Sequence, residues 1–349
     1  MTREVKIGSV IVGGGRIPAI QSMCTTKTSD IEGTVGQILR LEEAGCEIVR
    51  CSVLDEADAR SFQKIKDFIH IPIVADIHFA KKYAVLAIES GCDKVRINPG
   101  NIGKEEDVAF VADCIKAHGV PVRVGANTGS IEPEYLRKYG KNEHSLVESA
   151  LYNVGILEKH GVRDIVISVK ASSVPLTVKA YRLLAKRTDY PLHVGVTEAG
   201  TKEMGIVKSA VGIGSLLLDG IGDTLRVSLN EDPVEEVYAA RNLLRATGID
   251  ENFVDVIACP TCGRCQWDSM GLAHKVQAFV RPYSVKAKVA VMGCVVNGPG
   301  EASDADIGIA GGKDCCILFK KGKIDRKIEA ERAEEVFFAA LKAMLEEKR

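Results

Sequence analysis

A (β/α)8 TIM barrel followed by a smaller α+β domain is the fold class that this sequence predicts. Three observations carry the two-part architecture. From residue 19 to about 228, eight short apolar runs alternate with longer stretches whose apolar residues recur at three-and-four spacing. Many of the longer stretches stop at a glycine: Gly45, Gly91, Gly119, Gly161, Gly220 and Gly248. A helix that turns straight into a strand favours glycine there, because glycine accepts left-handed backbone cheaply. After Gly248 the alternation ends, and a run of short β-like segments with one closing amphipathic helix takes over.

The eight candidate strands are "AIQSM" (19–23), "CEIVRCSV" (46–53), "PIVADIHF" (72–79), "KVRINPG" (94–100), "PVRVGANTG" (121–129), "DIVISVKA" (164–171), "PLHVGVTEAG" (191–200) and "GDTLRVSLN" (222–230). Helical periodicity between them is plain in "GTVGQILRLEEAG" and "KEEDVAFVADCIKAHG". A doubly wound open sheet is the competing layout, but it uses fewer units and carries a nucleotide fingerprint after its first strand. The glycine-rich "IVGGGRIP" (11–18) sits between two β-like runs and precedes no helix, so it reads as a hairpin turn. The hairpin, about 4–17, is expected to plug the bottom of the barrel. Beyond the joint "TGIDENF", the runs "VDVIAC", "KAKVAVMGC", "ADIGIAG", "CCILFKKG" and "KIDRKI" read as strands, and "EAERAEEVFFAALKAMLEEK" as a helix. The expected domains are therefore a barrel over 1–248 and a smaller domain over 249–349.

The chain of 349 residues is 46% apolar and 27% charged, the balance of a globular protein with a sizeable core. Its formal net charge of −1 gives it no overall pull on nucleic acid or anionic lipid, so any anionic ligand must meet local positive charge. No signal peptide and no membrane-spanning apolar run is legible, which leads to the expectation of a cytoplasmic protein without membrane partners. In that reducing setting the eleven cysteines are expected to be mostly thiols. Cys46, Cys51, Cys92 and Cys114 sit among apolar residues and read as small core side chains, and Cys315–Cys316 as strand filler.

Four strands share an anomaly, an arginine between apolar neighbours: Arg50, Arg96, Arg123 and Arg226. Lys170 ends another strand. A lone strand arginine is usually a satisfied core ion pair. Four guanidinium groups and an ammonium at the face where barrels build their sites would repel one another unless an anion lies among them. Arginine's planar fork suits phosphate oxygens, and a diphosphate is the simplest such anion. Further polar residues fall at strand ends: Asp76, His78, Asn98, Asn101, Asn127, His193, Glu198, Ser228 and Asn230. His193 is counted with the substrate-binding candidates. Gly125, Gly129 and Gly200 would let backbone N–H groups approach a ligand.

The second domain holds "CPTCGRC" (259–265) and, about thirty residues on, "CVVNGPGE" (294–301). A disulfide is the weakest candidate in a reducing compartment. Zinc and iron–sulfur clusters both use C-x2-C spacing, and Cys259, Cys262, Cys265 and Cys294 could form an all-thiolate set. Glu301, beyond a Gly-Pro-Gly turn, offers a carboxylate as the fourth ligand instead. Spacing alone leaves Cys265 and Glu301 open.

Together "VADIHF", "VRINPGN", "RVGANTGS", "HVGVTEAG", "RVSLNEDP", "CPTCGR" and "CVVNGPGE" resemble the hydroxymethylbutenyl diphosphate synthase family of the methylerythritol phosphate isoprenoid pathway, over nearly the whole chain. The resemblance implies reductive ring opening of methylerythritol cyclodiphosphate with two electrons and loss of water. It implies a 4Fe–4S cluster on Cys259, Cys262, Cys294 and Glu301. It assigns the diphosphate to Arg50, Arg96, Arg123, Asn127, Lys170, Arg226 and Ser228, and gives Glu198 the role of protonating or orienting the substrate. Cys265 departs from many members, and Cys24 stands where threonine is common. The implied partners are a cyclic diphosphate substrate and ferredoxin or flavodoxin as electron donor.

In a barrel the last helix runs back to the face opposite the active mouth, and a joint of about seven residues spans at most roughly 25 Å. The cluster is therefore expected to serve the mouth of another subunit, in a head-to-tail homodimer, as the family is built. Two other enzymatic or carrier readings stand beside this one. One is an aldolase-like barrel using Lys170 as a Schiff-base amine with a structural zinc domain. The other is a non-catalytic iron–sulfur carrier.

Overall fold

The computed structural model describes residues 1–77, 80–98, 102, 104–295 and 298–349. The chain divides into two compact units, Met1–Ile249 and Asp250–Arg349.

The first unit opens with a hairpin of β1 (Val5–Ile7) and β2 (Val10–Val12), paired Ile7 to Val10. Its reversal falls at Gly8–Ser9, not in the glycine run the sequence suggested. Gly13, Gly14 and Gly15 all have positive φ and lead the chain out of β2 into the barrel instead. Val5, Ile7 and Val12 pack against Ala19, Ile48, Val74 and Val166, forming an apolar plug inside the strand ring.

The ring comprises β3 (Ala19–Met23), β4 (Ile48–Val53), β5 (Ile73–Ile77), β6 (Lys94–Ile97), β7 (Val122–Asn127), β8 (Ile165–Lys170), β9 (His193–Val194) and β10 (Thr224–Leu225). They pair in parallel in the order β8-β7-β6-β5-β4-β3-β10-β9. A parallel bridge between Ile167 and Leu192 brings β8 beside the approach to β9 and nearly closes the barrel. The helices after successive strands are α1 (Ile31–Ala44), two short turns (Glu56–Ala59 and Phe62–Lys66), α2 (Lys81–Glu89), α3 (Glu105–His118), a short helix (Pro133–Tyr139) with α4 (Glu143–Lys159), α5 (Val174–Ala185), α6 (Lys202–Leu218) and α7 (Pro233–Ala246). All six glycines singled out from the sequence have left-handed backbone.

The last two strands are much shorter than the sequence suggested. Each keeps two ladder residues; after β9, glycine at Gly195 weakens pairing and Glu198 (φ 54°) turns the chain aside. Arg226 thus lies just past β10, although its N–H still donates to the Val194 carbonyl at 3.0 Å.

Side-chain alternation decides what the barrel contains. Val49, Cys51, Val95, Ile97, Val122, Val124, Ile165, Ile167 and Val169 face outward into the main core under the helices. The opposite parity puts Gln21, Arg50, Asp76, Lys94, Arg96, Arg123, Ser168, Lys170 and His193 inside. Above its apolar plug the barrel is lined with polar groups. Among the cysteines, Cys24, Cys46, Cys51, Cys92 and Cys316 are buried, whereas Cys114 is only half-buried on α3, and burial pushes the Cys46 thiol up to about 12. Such thiols are inert packing groups.

The second unit is a five-stranded mixed sheet in sequence order: β11 (Val254–Ala258), β12 (Ala287–Met292), β13 (Ile307–Gly311), β14 (Cys315–Lys320) and β15 (Lys323–Glu329). The first three strands are parallel and the last two antiparallel additions. α8 (Ser269–Val280) and α9 (Ala333–Glu347) bury Leu272, Val276, Phe337 and Leu341 against Val289, Ile307 and Leu318. On the other face a cluster of small residues, including Ala290, Ala302 and Ala310, lies beside Cys259 and Val295.

Candidate active site

The four arginines and Lys170 converge as their shared inward parity requires. Asp76 lies between two of them: Arg50 Nε is 3.5 Å from one carboxylate oxygen and Arg96 Nη1 is 3.2 Å from the other. Arg226 is gripped by Glu236 of α7 through two bonds of 3.0 Å each. The Met23 sulfur accepts from Arg50 at 3.2 and 2.9 Å and from Arg226 at 3.5 Å. Two carboxylates therefore face four guanidinium groups, and the excess is positive.

The electrostatic consequences follow from burial and crowding. Burial above all, opposed by Asp76 and reinforced by Arg226 and Arg96, lowers Arg50 to about 10. Burial, and then the charges of Arg123, Arg50, Arg226 and Arg96, hold the Lys170 amine well below the ordinary lysine range. His193 is fully buried, with Nδ1 2.8 Å from Thr224 Oγ1. Burial, followed by Lys170 and Arg123, keeps its ring well below the usual histidine range and hence uncharged.

Missing side chains make room for the cations. A Cβ on Gly195 would stand 2.8 Å from Lys170 Nζ and 2.7 Å from the Arg226 carbonyl oxygen. One on Gly125 would stand 3.4 Å from Arg96 Nε and Nη2. Gly129 and Gly200 border open space.

Of the other strand-end residues, Asn127 closes β7 in a turn, its N–H bonded to Ser130 Oγ at 3.0 Å. Ser228 is half-buried past β10, and Asn230 donates its N–H to the Gly200 carbonyl. Asn98 is buried, with Oδ1 unpartnered among the described residues. Glu198 is exposed and carries left-handed backbone at φ 54°, one of two non-glycine residues so disposed among those described. Strain of that kind collects at functional sites. His78 and Asn101 lie outside the described residues.

Sequence reasoning passed over Glu236, Met23, Gln21 and Lys94. Glu236 sits in a helix start, "DPVEEV", where an acidic residue looks like ordinary helix-dipole chemistry. Lys94 had a usable signal, since it stands two residues before Arg96 and so shares its face.

In the second unit, β11 and β12 each run out into a cysteine segment. The Gly293 N–H donates to Cys259 Sγ at 3.0 Å. Arg264 lies within electrostatic reach of Cys262, Cys294 and Glu301 and lowers the Cys262 thiol through backbone and side-chain hydrogen bonds. Cys265 Sγ is engaged with the Trp267 carbonyl at 3.2 Å and Ser269 Oγ at 3.3 Å. Among the described residues no group of three or more His, Cys, Asp or Glu side chains is drawn together tightly enough to hold a metal ion. The donor chemistry nevertheless fits an iron–sulfur cluster: Cys262, Cys294 and Glu301 share the neighbourhood of Arg264, and a backbone N–H points at the Cys259 sulfur.

Fold and side-chain chemistry together define a (β/α)8-barrel protein with a cationic interior, continued by a mixed-sheet unit whose first two parallel strands lead into cysteines. Residues 2–241 match the GcpE TIM-barrel domain and residues 255–343 the GcpE protein C-terminal domain. The chain belongs to the GcpE family. It is 53% identical over 348 residues to a protein of Caldanaerobacter subterraneus subsp. tengcongensis named 4-hydroxy-3-methylbut-2-en-1-yl diphosphate synthase (flavodoxin), covering 99% of this chain and 98% of that one. It is 52% identical over 352 residues to the protein of the same name from Lysinibacillus sphaericus, covering 100% and 95%. Among solved structures, dihydropteroate synthase of Yersinia pestis superposes with a TM-score of 0.53 at 11% identity, covering 71% of this chain and 99% of that one. The enzyme of Stenotrophomonas maltophilia gives 0.52 at 14% identity with the same coverage. At such identity the likeness is one of fold alone. No described helix is long and apolar enough to cross a membrane.

Proposed function

We propose that this chain catalyses the reductive ring opening of 2-C-methyl-D-erythritol 2,4-cyclodiphosphate to 4-hydroxy-3-methylbut-2-enyl diphosphate. The observation that carries the proposal is the excess of arginine over carboxylate inside the barrel, a charge imbalance that a bound diphosphate relieves. Full-length similarity to enzymes named for that product supports it, and the same names support flavodoxin as electron donor, with ferredoxin the alternative. Arg50, Arg96, Arg123, Lys170 and Arg226 bind the diphosphate. His193, Asn127 and Ser228 orient its neutral oxygens. Glu198 holds the proton that leaves with the departing hydroxyl as water. The ring C–O bond to phosphate breaks as two electrons enter.

A 4Fe–4S cluster held by Cys259, Cys262, Cys294 and Glu301 would supply those electrons and one iron with an exchangeable oxygen ligand. The separate engagement of Cys265 with Trp267 and Ser269 favours Glu301 as the fourth ligand. A head-to-tail homodimer is supported by α6, which leaves Met204, Val207, Val211 and Leu218 exposed at helical spacing. Mixing a Cys259→Ser subunit with a Glu198→Gln subunit should restore turnover in trans. No active mixed dimer would count against shared sites.

The deciding experiment is an anaerobic preparation analysed for iron and sulfide, followed by turnover of the cyclodiphosphate with reduced flavodoxin. A pale protein rich in zinc and free of sulfide would sink the proposal. One observation favours a second reading: burial and four neighbouring guanidinium groups hold the Lys170 amine well below the ordinary lysine range, the direction that activates an amine for Schiff-base formation. Trapping of a carbonyl adduct by borohydride would support it.

A further inference from the structure

Bordering the hairpin plug is a set of buried polar side chains that the diphosphate reading does not use in full. Gln21 is 1% exposed, Lys94 0%, Arg123 2% and His193 0%. Each stands in register with the apolar plug: Gln21 opposite Ile48, Lys94 opposite Val74, Arg123 opposite Val166, and His193, by way of Thr224, in line with Ala19. All four carry side-chain atoms without a hydrogen-bond partner among the described residues: both amide atoms of Gln21, Lys94 Nζ, Arg123 Nε and Nη1, and His193 Nε2. Buried polar atoms are almost always satisfied, by protein, ordered water or ligand.

We propose that Lys94 is a positioning residue of the anion site: with Gln21 and His193 it forms a polar floor, linked by ordered water, that holds Arg123 aimed at the bound anion. The inference rests on the diphosphate reading above and adds a residue to it. Its chemistry is complementary. Arg123 presents unpaired N–H groups at Nε and Nη1, while Gln21 Oε1 and His193 Nε2 are unpaired acceptors and Lys94 Nζ is likewise without a partner among the described residues. Burial, and after it the charges of Arg123 and Arg50, push the Lys94 amine well below the ordinary lysine range, toward the neutral form, whose lone pair accepts. An apolar side chain would fill the same place at lower cost in stability. Lys94 therefore acts through Arg123 and stands beneath it, two residues below Arg96 on β6.

The test is calorimetric titration of the full chain with inorganic pyrophosphate, alongside thermal unfolding. Lys94→Met should melt at the same or a higher temperature and bind pyrophosphate roughly tenfold more weakly. Lys94→Gln, which restores a neutral acceptor, should bind within about threefold of the unaltered chain. Retention of affinity by Lys94→Met would overturn the proposal, as would loss of affinity and melting temperature together in both variants. Equal loss of affinity in both at unchanged melting temperature would make Lys94 a direct cation on the anion and overturn the positioning role. If the unaltered chain fails to bind pyrophosphate, the anion site itself fails and the floor with it. If the unaltered chain binds and Lys94→Met binds equally well, only the role of Lys94 is lost.

Discussion

Glu236 grips Arg226 through two parallel bonds of 3.0 Å, from Nε and Nη2 to separate carboxylate oxygens. The same carboxylate accepts from Ser22 Oγ at 3.1 Å and from the Leu229 N–H at 3.0 Å, so it ties α7 to β3 and to the segment after β10. Because Glu236 is 2% exposed, its loss strands several groups at once. Glu236→Ala should cost about 3 kcal/mol of unfolding free energy, read by urea denaturation. A cost under about 1 kcal/mol would mean that water replaces the carboxylate freely.

Gly195 is where backbone and cation come closest. The nearest atom to an added Cβ, at 2.7 Å, is the Arg226 carbonyl oxygen, which belongs to the backbone and cannot swing away. The next, at 2.8 Å, is Lys170 Nζ. Gly195→Ala should lower stability by about 2 kcal/mol and also weaken pyrophosphate binding by displacing Lys170. Unchanged binding in a folded variant would show that Lys170 does not reach the anion.

Glu198 combines an exposed side chain with left-handed backbone. Glycine adopts that backbone without a Cβ clash, so Glu198→Gly should gain about 1 kcal/mol of stability. If the carboxyl acts on the substrate, turnover should fall by about two orders of magnitude or more. A variant that is both more stable and fully active would remove Glu198 from the chemistry.

His193 makes the folded state sensitive to acid. Its ordinary value is 6.5, and the folded protein holds it well below that. Below pH 6.5 the unfolded chain binds a proton that the folded chain does not, so stability is full above that pH and is lost as pH falls. His193→Gln removes this share of the slope. The stability gap between the two proteins should be smaller at pH 5 than at pH 8 by more than about 1 kcal/mol. An equal gap at both pH values would place the acid sensitivity elsewhere.

Much of this molecule is legible in its sequence because the signals are local. Six glycines at helix ends mark the strand–helix repeat, and each adopts the left-handed backbone that only glycine takes cheaply. The arginines stand out because a guanidinium between apolar neighbours conflicts with burial. The extents of β9 and β10 were not legible, since residues 191–200 and 222–230 keep β-like composition after they leave the ladder. Ladder membership depends on which neighbour is within bonding distance, and composition does not record that.

The sequence by itself determined that a cationic barrel is followed by a thiol-bearing domain, because apolar periodicity and out-of-place charges are written residue by residue. Only the tertiary structure decided which groups meet. Asp76 stands between Arg50 and Arg96, Glu236 reaches Arg226 from a helix, and Lys94 lies level with the plug. Those contacts arise from strand register and barrel closure, which bring distant segments to within a few ångströms, where charge and burial set the chemistry.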